Sequence, residues 1–163
     1  MWKRSLATVV LAAYCALLVK VMVFKDIPTI RIGGTMLRVG GTESGGAANL
    51  VPFRTILPYL LGERGWFFGS INLIGNVALL VPVGLLLPFV LRHCTWTTAL
   101  IIGIACGLAI EVMQAILDVG HFDVDDVILN ALGVVIGYSV VLLLSRVRRA
   151  RRPSRRATRH RAG

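Results

Sequence analysis

The sequence predicts an all-α integral membrane protein: a four-transmembrane-helix bundle with a partly structured extracytoplasmic loop. Three observations predict it. Hydrophobic residues fill 56% of 163 positions and charged ones only 16%, with a mean hydropathy of +0.76. That leaves too little polar side chain to cover a soluble domain. The apolar residues gather into four runs, 6–24, 67–91, 96–117 and 127–144, matching the ~20 residues that cross ~30 Å of hydrocarbon at ~1.5 Å each. Charge is gathered as well: nine of the eighteen basic residues are arginines between Arg146 and Arg161.

Residues 1–24 read as the first transmembrane helix. Lys3 and Arg4 precede the apolar run and no small-x-small cleavage site follows it, so it is a signal anchor that is retained. Residues 25–65 form the long extracytoplasmic loop, rich in glycine. Within it Gly33-Gly34, flanked by Ile30, Ile32, Met36 and Leu37, signals a two-residue β-hairpin over 30–37, since both turn residues need positive φ. From Asn49 to Leu61 apolar residues recur at helical spacing, but Pro52 and Pro58 forbid one continuous helix. This stretch reads as a short broken segment lying in the interface.

Residues 66–145 form a three-helix membrane core joined by tight loops at 92–95 and 118–126. The first of its helices carries a kink site at Pro82, with Gly84 leaving room beside it. Residues 146–163 are a basic, disordered cytoplasmic tail, broken by Pro153. With four spans, Lys3, Arg4, Arg92 and the tail share one side, which the positive-inside rule makes cytoplasmic, leaving both termini inside. The tail suits anionic lipid head groups as a topology determinant rather than nucleic acid.

Five of the eight acidic residues, Glu111, Asp118, Asp123, Asp125 and Asp126, lie at the end of the third run and before the start of the fourth. On the predicted topology Asn72 and Asn76 fall roughly 8–15 Å below the outer boundary, Glu111 roughly 9 Å below it, and Asn130 about one turn down. Gln114 lies nearer the surface, with His121 in the loop and Asn49 opposite. Ten residues are therefore pocket candidates: Asn49, Asn72, Asn76, Glu111, Gln114, His121, Asp123, Asp125, Asp126 and Asn130. A carboxylate in hydrocarbon costs ~2.5 kcal/mol or more on insertion scales, so Glu111 must be paired, protonated or reached by water. Asp126 is placed to N-cap the fourth span. Asp126, Asn130, Gly133 and Gly137 share one helical stripe, and the pairs Gly103/Gly107 and Gly133/Gly137 predict close approach of the third and fourth spans.

Other chemistries find less support. Cys15, Cys94 and Cys106 sit in or beside apolar segments and imply no disulfide framework or metal pair. Asp123, Asp125 and Asp126 offer hard oxygens but not EF-hand spacing, so no metal and no cofactor are expected. Ser70 and Ser139 have no visible base partner.

Asn49-Leu-Val-Pro-Phe53, Asn72-Leu-Ile-Gly-Asn76 with Pro82-Val-Gly84, Glu111-Val-Met-Gln114 and Phe122-Asp-Val-Asp-Asp126 through Asn130, Gly133 and Gly137 together resemble the VanZ-like family. The likeness spans about residues 45–145 in unbroken order. It implies a multi-helix bacterial membrane protein of a family named for a member linked to low-level teicoplanin resistance. Members commonly carry an arginine three residues before the first aspartate of the loop motif; here that residue is Gly120, leaving His121, Arg54 or Arg64 to balance the acidic group.

Three functions stand open. An outward-facing polar pocket with apolar walls could bind membrane lipids, a lipid-tailed antibiotic or a lipid-linked envelope precursor. A membrane enzyme could use Glu111 or Asp123 as general base on a lipid head group. Or the polar residues could serve as interhelical glue in a structural or transport module.

Overall fold

The computed structural model describes residues 2–23, 30–32, 35–37, 48–61 and 66–150. Its elements are α1 (Trp2–Val23), β1 (Ile30–Ile32), β2 (Thr35–Leu37), α2 (Ile56–Leu60), α3 (Trp66–Val90), α4 (Trp96–Ile116) and α5 (Val124–Ala150). Four of these, α1, α3, α4 and α5, are long and apolar enough to cross a membrane. The expected hairpin is formed: β1 and β2 pair antiparallel, with Ile30 opposite Leu37 and Ile32 opposite Thr35. The Gly33-Gly34 turn itself, and the tail from Arg151 onward, lie outside the described residues.

The spans end where the sequence supplies caps. Thr95 begins α4 by accepting the Thr98 N–H at 3.2 Å. Beyond its last residue, Asp118 adopts φ 52°. There the Val119 N–H reaches the Gln114 carbonyl at 3.0 Å and the Asp118 N–H reaches that of Ala115 at 3.3 Å, the paired bonds of a Schellman stop. α3 runs through Pro82 and Pro88 as one helix. Pro82 removes the N–H that would serve Ala78, and in the same turn the Tyr14 hydroxyl donates to the Leu79 carbonyl at 2.7 Å. α5 is longer than the apolar run predicts at both ends. It starts three residues early, at an aspartate cap described below, and continues to Ala150 because arginine favours helix and its charge reaches water.

α5 is the central helix, packed along both α3 and α4, while α1 lies against α3. The packing corrects one expectation. Gly103 and Gly107 of α4 do face α5: a Cβ at Gly103 would stand 2.8 Å from the Ala131 Cα and one at Gly107 3.0 Å from the Val127 Cα. The glycines of α5 face α3 instead. A Cβ at Gly133 would lie 2.2 Å from the Val77 carbonyl oxygen, one at Gly137 2.1 Å from that of Val81, and one at Gly84 of α3 2.0 Å from that of Val134. The reason is helical phase, since the 133/137 stripe is rotated away from the Val127, Ala131 and Val134 stripe that meets α4.

Around this contact Leu80, Val83, Leu87, Ala99, Ile110, Val134 and Tyr138 form the buried core, joined by Leu18 of α1. The Tyr138 hydroxyl donates to the Cys94 carbonyl at 2.7 Å, and its ring meets Trp96 edge-on at 5.4 Å. The bundle has two distinct ends. At one, Arg4 Nε donates to the orphan Val90 carbonyl at 2.8 Å, joining the start of α1 to the end of α3. At the other, Gln114 Nε2 donates to the Met22 carbonyl at 2.8 Å, joining the end of α4 to the end of α1.

Candidate functional site

The polar candidates meet at the second end, and the first thing they build is a junction between distant pieces of chain. After the Schellman stop the loop returns alongside residue 49. The Asn49 N–H donates to the Phe122 carbonyl at 2.8 Å and the Val124 N–H to the Asn49 carbonyl at 3.0 Å, a parallel bridge between Asn49 and Asp123. The bridge brings together two of the motifs that the sequence singled out.

Asp123, not Asp126, caps α5. Its Oδ1 accepts the Asp125 N–H at 2.9 Å, and its position immediately before Val124 makes it the N-cap. Asp126 falls in the first turn, too late to cap, where its carboxylate still meets the positive end of the helix dipole. The same Oδ1 of Asp123 accepts the Asn49 side-chain amide at 3.0 Å, and Oδ2 accepts the Thr55 hydroxyl at 2.7 Å. Glu111, 1% exposed, accepts the Asp123 N–H on Oε2 at 2.8 Å. Glu111 is thus bonded inside the junction rather than turned toward acyl chains.

Asp125 is fully buried and serves a different helix. Thr55 stands at the start of α2 without a side-chain cap of its own. Asp125 supplies one from outside: its carboxylate accepts the main-chain N–H groups of Phe53, of Thr55 at 2.6 Å and of Ile56 at 3.1 Å. Phe53 sits at φ 66°, a conformation that a bulky residue adopts only when its surroundings hold it there. The bond from its N–H to Asp125 is one such restraint. Asn49 completes the latch by donating to the Thr55 hydroxyl at 3.1 Å and accepting the Val51 N–H at 3.3 Å.

Asp123 and Asp125 therefore face N–H and O–H donors, which is the surrounding of a bound anion rather than of a cation site. No group of three or more metal-ligating side chains is found among the described residues. Thr55 is a site residue that sequence reasoning passed over. Its signal was present, a capping residue type directly before the apolar run that becomes α2.

The other candidates divide. Asn76 Nδ2 of α3 donates to Asp126 Oδ1 of α5 at 2.7 Å. Asn130, four residues further along α5, is 0% exposed, and neither its amide nitrogen nor its amide oxygen has a hydrogen-bond partner among the described residues. Its Cβ would lie 3.2 Å from a Cβ at Gly107 of α4. His121 Nδ1 is buried without a hydrogen-bond partner in the same set. Gln114 leaves the cluster to bind α1. Gly120, where an arginine was expected, is buried, and Arg54 is exposed. The side chain of Asn72 and all of Arg64 lie outside the described residues.

Beside the junction, the 48–61 segment presents a ledge of large apolar side chains: Leu50, Val51, Phe53, Leu57, Leu60 and Leu61 are all half or more exposed. Such a patch is stable next to lipid and not in water. Four apolar spans, a short helix with an exposed apolar ledge and a latch of buried carboxylates at one end define a polytopic membrane protein with a built polar terminus. The chain belongs to the VanZ/LLP1 family, whose model matches residues 11–145, taking in most of α1 as well as the motifs of the core. No curated protein and no solved structure matches it.

Proposed function

We propose that this protein sits in a bacterial plasma membrane with both termini in the cytoplasm and uses its outward polar end to engage a lipid-tailed or lipid-linked envelope molecule. In this role it contributes to glycopeptide (teicoplanin) resistance. The observation that carries the reading is Asn130: a fully buried amide whose polar atoms no described residue satisfies. An unsatisfied buried amide costs ~1–3 kcal/mol and marks a place where a polar group has been kept for a reason other than packing. It lies one turn along α5 from the Asn76–Asp126 bond, at the end of the bundle where Asp125 holds an apolar ledge suited to an acyl or prenyl tail. On this reading Asn76, Asp126, Asn130 and His121 face the polar head, while Asn49, Glu111, Asp123 and Asp125 position the ledge.

The test is Asn130→Leu, which keeps the heavy-atom count and branching of the side chain and removes the amide, expressed in a susceptible strain. We expect increased teicoplanin sensitivity and loss of photocrosslinking to an acyl-chain probe, with the protein folded and at normal abundance. Unchanged sensitivity together with unchanged crosslinking defeats the reading. Reporter fusions at residue 120 and after residue 150 test the orientation; a cytoplasmic signal at 120 reverses it. The glue reading has support of its own, since Asp123 and Asp125 are fully engaged in joining segments. It predicts that every polar substitution that impairs function also lowers stability, which Asn130→Leu separates.

A further inference from the structure

The end of the bundle opposite the polar junction carries a second feature that none of the family motifs touches. Where α3 ends against the C-terminal part of α5, a half-open groove is lined by Phe89, Val141, Leu144, Ser145, Arg148 and Arg149. The lining is ordered along α5. Along α5 Val141 and Leu144 come first, with Phe89 contributed by α3, Ser145 follows, and the two arginines come last. From Val141 to Arg149 the helix rises ~12 Å. Apolar groups, a hydroxyl and then paired cations follow one another in the order in which a phospholipid runs from acyl chain to phosphate.

We infer that this groove is a binding site for one anionic phospholipid of the adjoining leaflet. The acyl chain lies against Phe89, Val141 and Leu144 and the phosphate sits between Arg148 and Arg149. Charge complementarity selects the occupant. Both guanidiniums are exposed at the level where the helix leaves the hydrocarbon, with Arg146 beside them, and a bidentate donor is matched to phosphate oxygens. Phe89 is 58% exposed and Leu144 50% exposed, so the apolar wall is open to the leaflet. A tail of further arginines follows, which attracts anionic head groups without regard to position. The groove differs in joining charge to a shaped apolar wall, and so binds one lipid in one place.

The full chain, purified in mild detergent and titrated with phosphatidylglycerol or phosphatidylcholine, is read by native mass spectrometry as lipid-bound against lipid-free protein. One phosphatidylglycerol is expected to bind in preference to phosphatidylcholine, and Arg148→Gln/Arg149→Gln is expected to weaken it about ten-fold. Phe89→Ala, which leaves every charge in place, is expected to weaken it about three-fold, whereas Arg155→Gln/Arg156→Gln, removing the same charge from the tail, changes it less than about two-fold. All of these are surface or tail substitutions, and an unchanged melting temperature confirms the fold. Equal binding of the two lipids, a tail variant as weak as the groove variant, or wild-type binding by Phe89→Ala each overturns the site.

Discussion

The middle and the N-terminal end of α5 are held in opposite ways. In the middle, contact is made by leaving side chains out: Gly84, Gly133 and Gly137 bring the α3 and α5 backbones so close that an added methyl would lie 2.0–2.2 Å from a carbonyl oxygen. At the end, contact is made by reaching. Asp123 and Asp125 extend carboxylates across more than sixty residues of sequence to gather Asn49, Phe53, Thr55 and Ile56. The difference follows from the surroundings. Apolar association gains little between helices already in lipid, so mid-membrane contact depends on close packing of backbone and small side chains. At the end of the bundle the 48–61 segment has N–H groups without a helical partner, and charge-assisted hydrogen bonds to Asp125 satisfy them.

The first way to break the contrast is to fill the seam. Gly137→Leu should abolish the monodisperse bundle in size-exclusion chromatography. Its cost exceeds the usual 1–3 kcal/mol of overpacking, because the obstacle is main chain and not a side chain that can turn aside. Next comes the latch. Asp125→Ala leaves three N–H groups without their acceptor and should cost about 3 kcal/mol. The loss should be local, appearing as protease cleavage within 48–61 while helical circular dichroism is retained; simultaneous loss of both would mean that the latch holds the bundle itself. Gly107→Ala sharpens the comparison between the two faces of α5. Its Cβ would stand 3.0 Å from the Val127 Cα, so a few tenths of an ångström of movement suffices and about 1 kcal/mol of thermal stability should be lost. Smallest is Arg4→Ala, which removes one bond to the Val90 carbonyl at the other end and should cost about 0.5 kcal/mol in the same melt.

Particular residues show how far the sequence could be read. The four spans were legible because hydropathy acts on whole runs, and α3 and α4 lie within about a residue of the predicted bounds. Pro52 and Pro58 marked a broken segment, and a break with a five-residue helix is what forms. The gathering of Asn49, Asn76, Glu111 and the aspartates at one end was legible as well, since depth follows from counting residues from a boundary. Their pairings were not. Asp126 was expected as the cap because the apolar run begins at Val127; the helix begins earlier because Asp123, braced by Glu111 and bridged to Asn49, is already positioned to accept its first free N–H. The glycine pair of α5 was matched to the wrong neighbour because spacing identifies a stripe of small residues without saying which helix lies against it.

Composition and periodicity alone thus determined a membrane protein of four helices with its polar groups at one end, because partition between water and hydrocarbon is decided residue by residue. Only the tertiary structure decided that α5 stands at the centre, that its two stripes serve different partners, and that Asp125 caps a helix seventy residues upstream. Those outcomes depend on the rotation of each helix about its axis and on contacts between segments far apart in the chain, which no local pattern encodes.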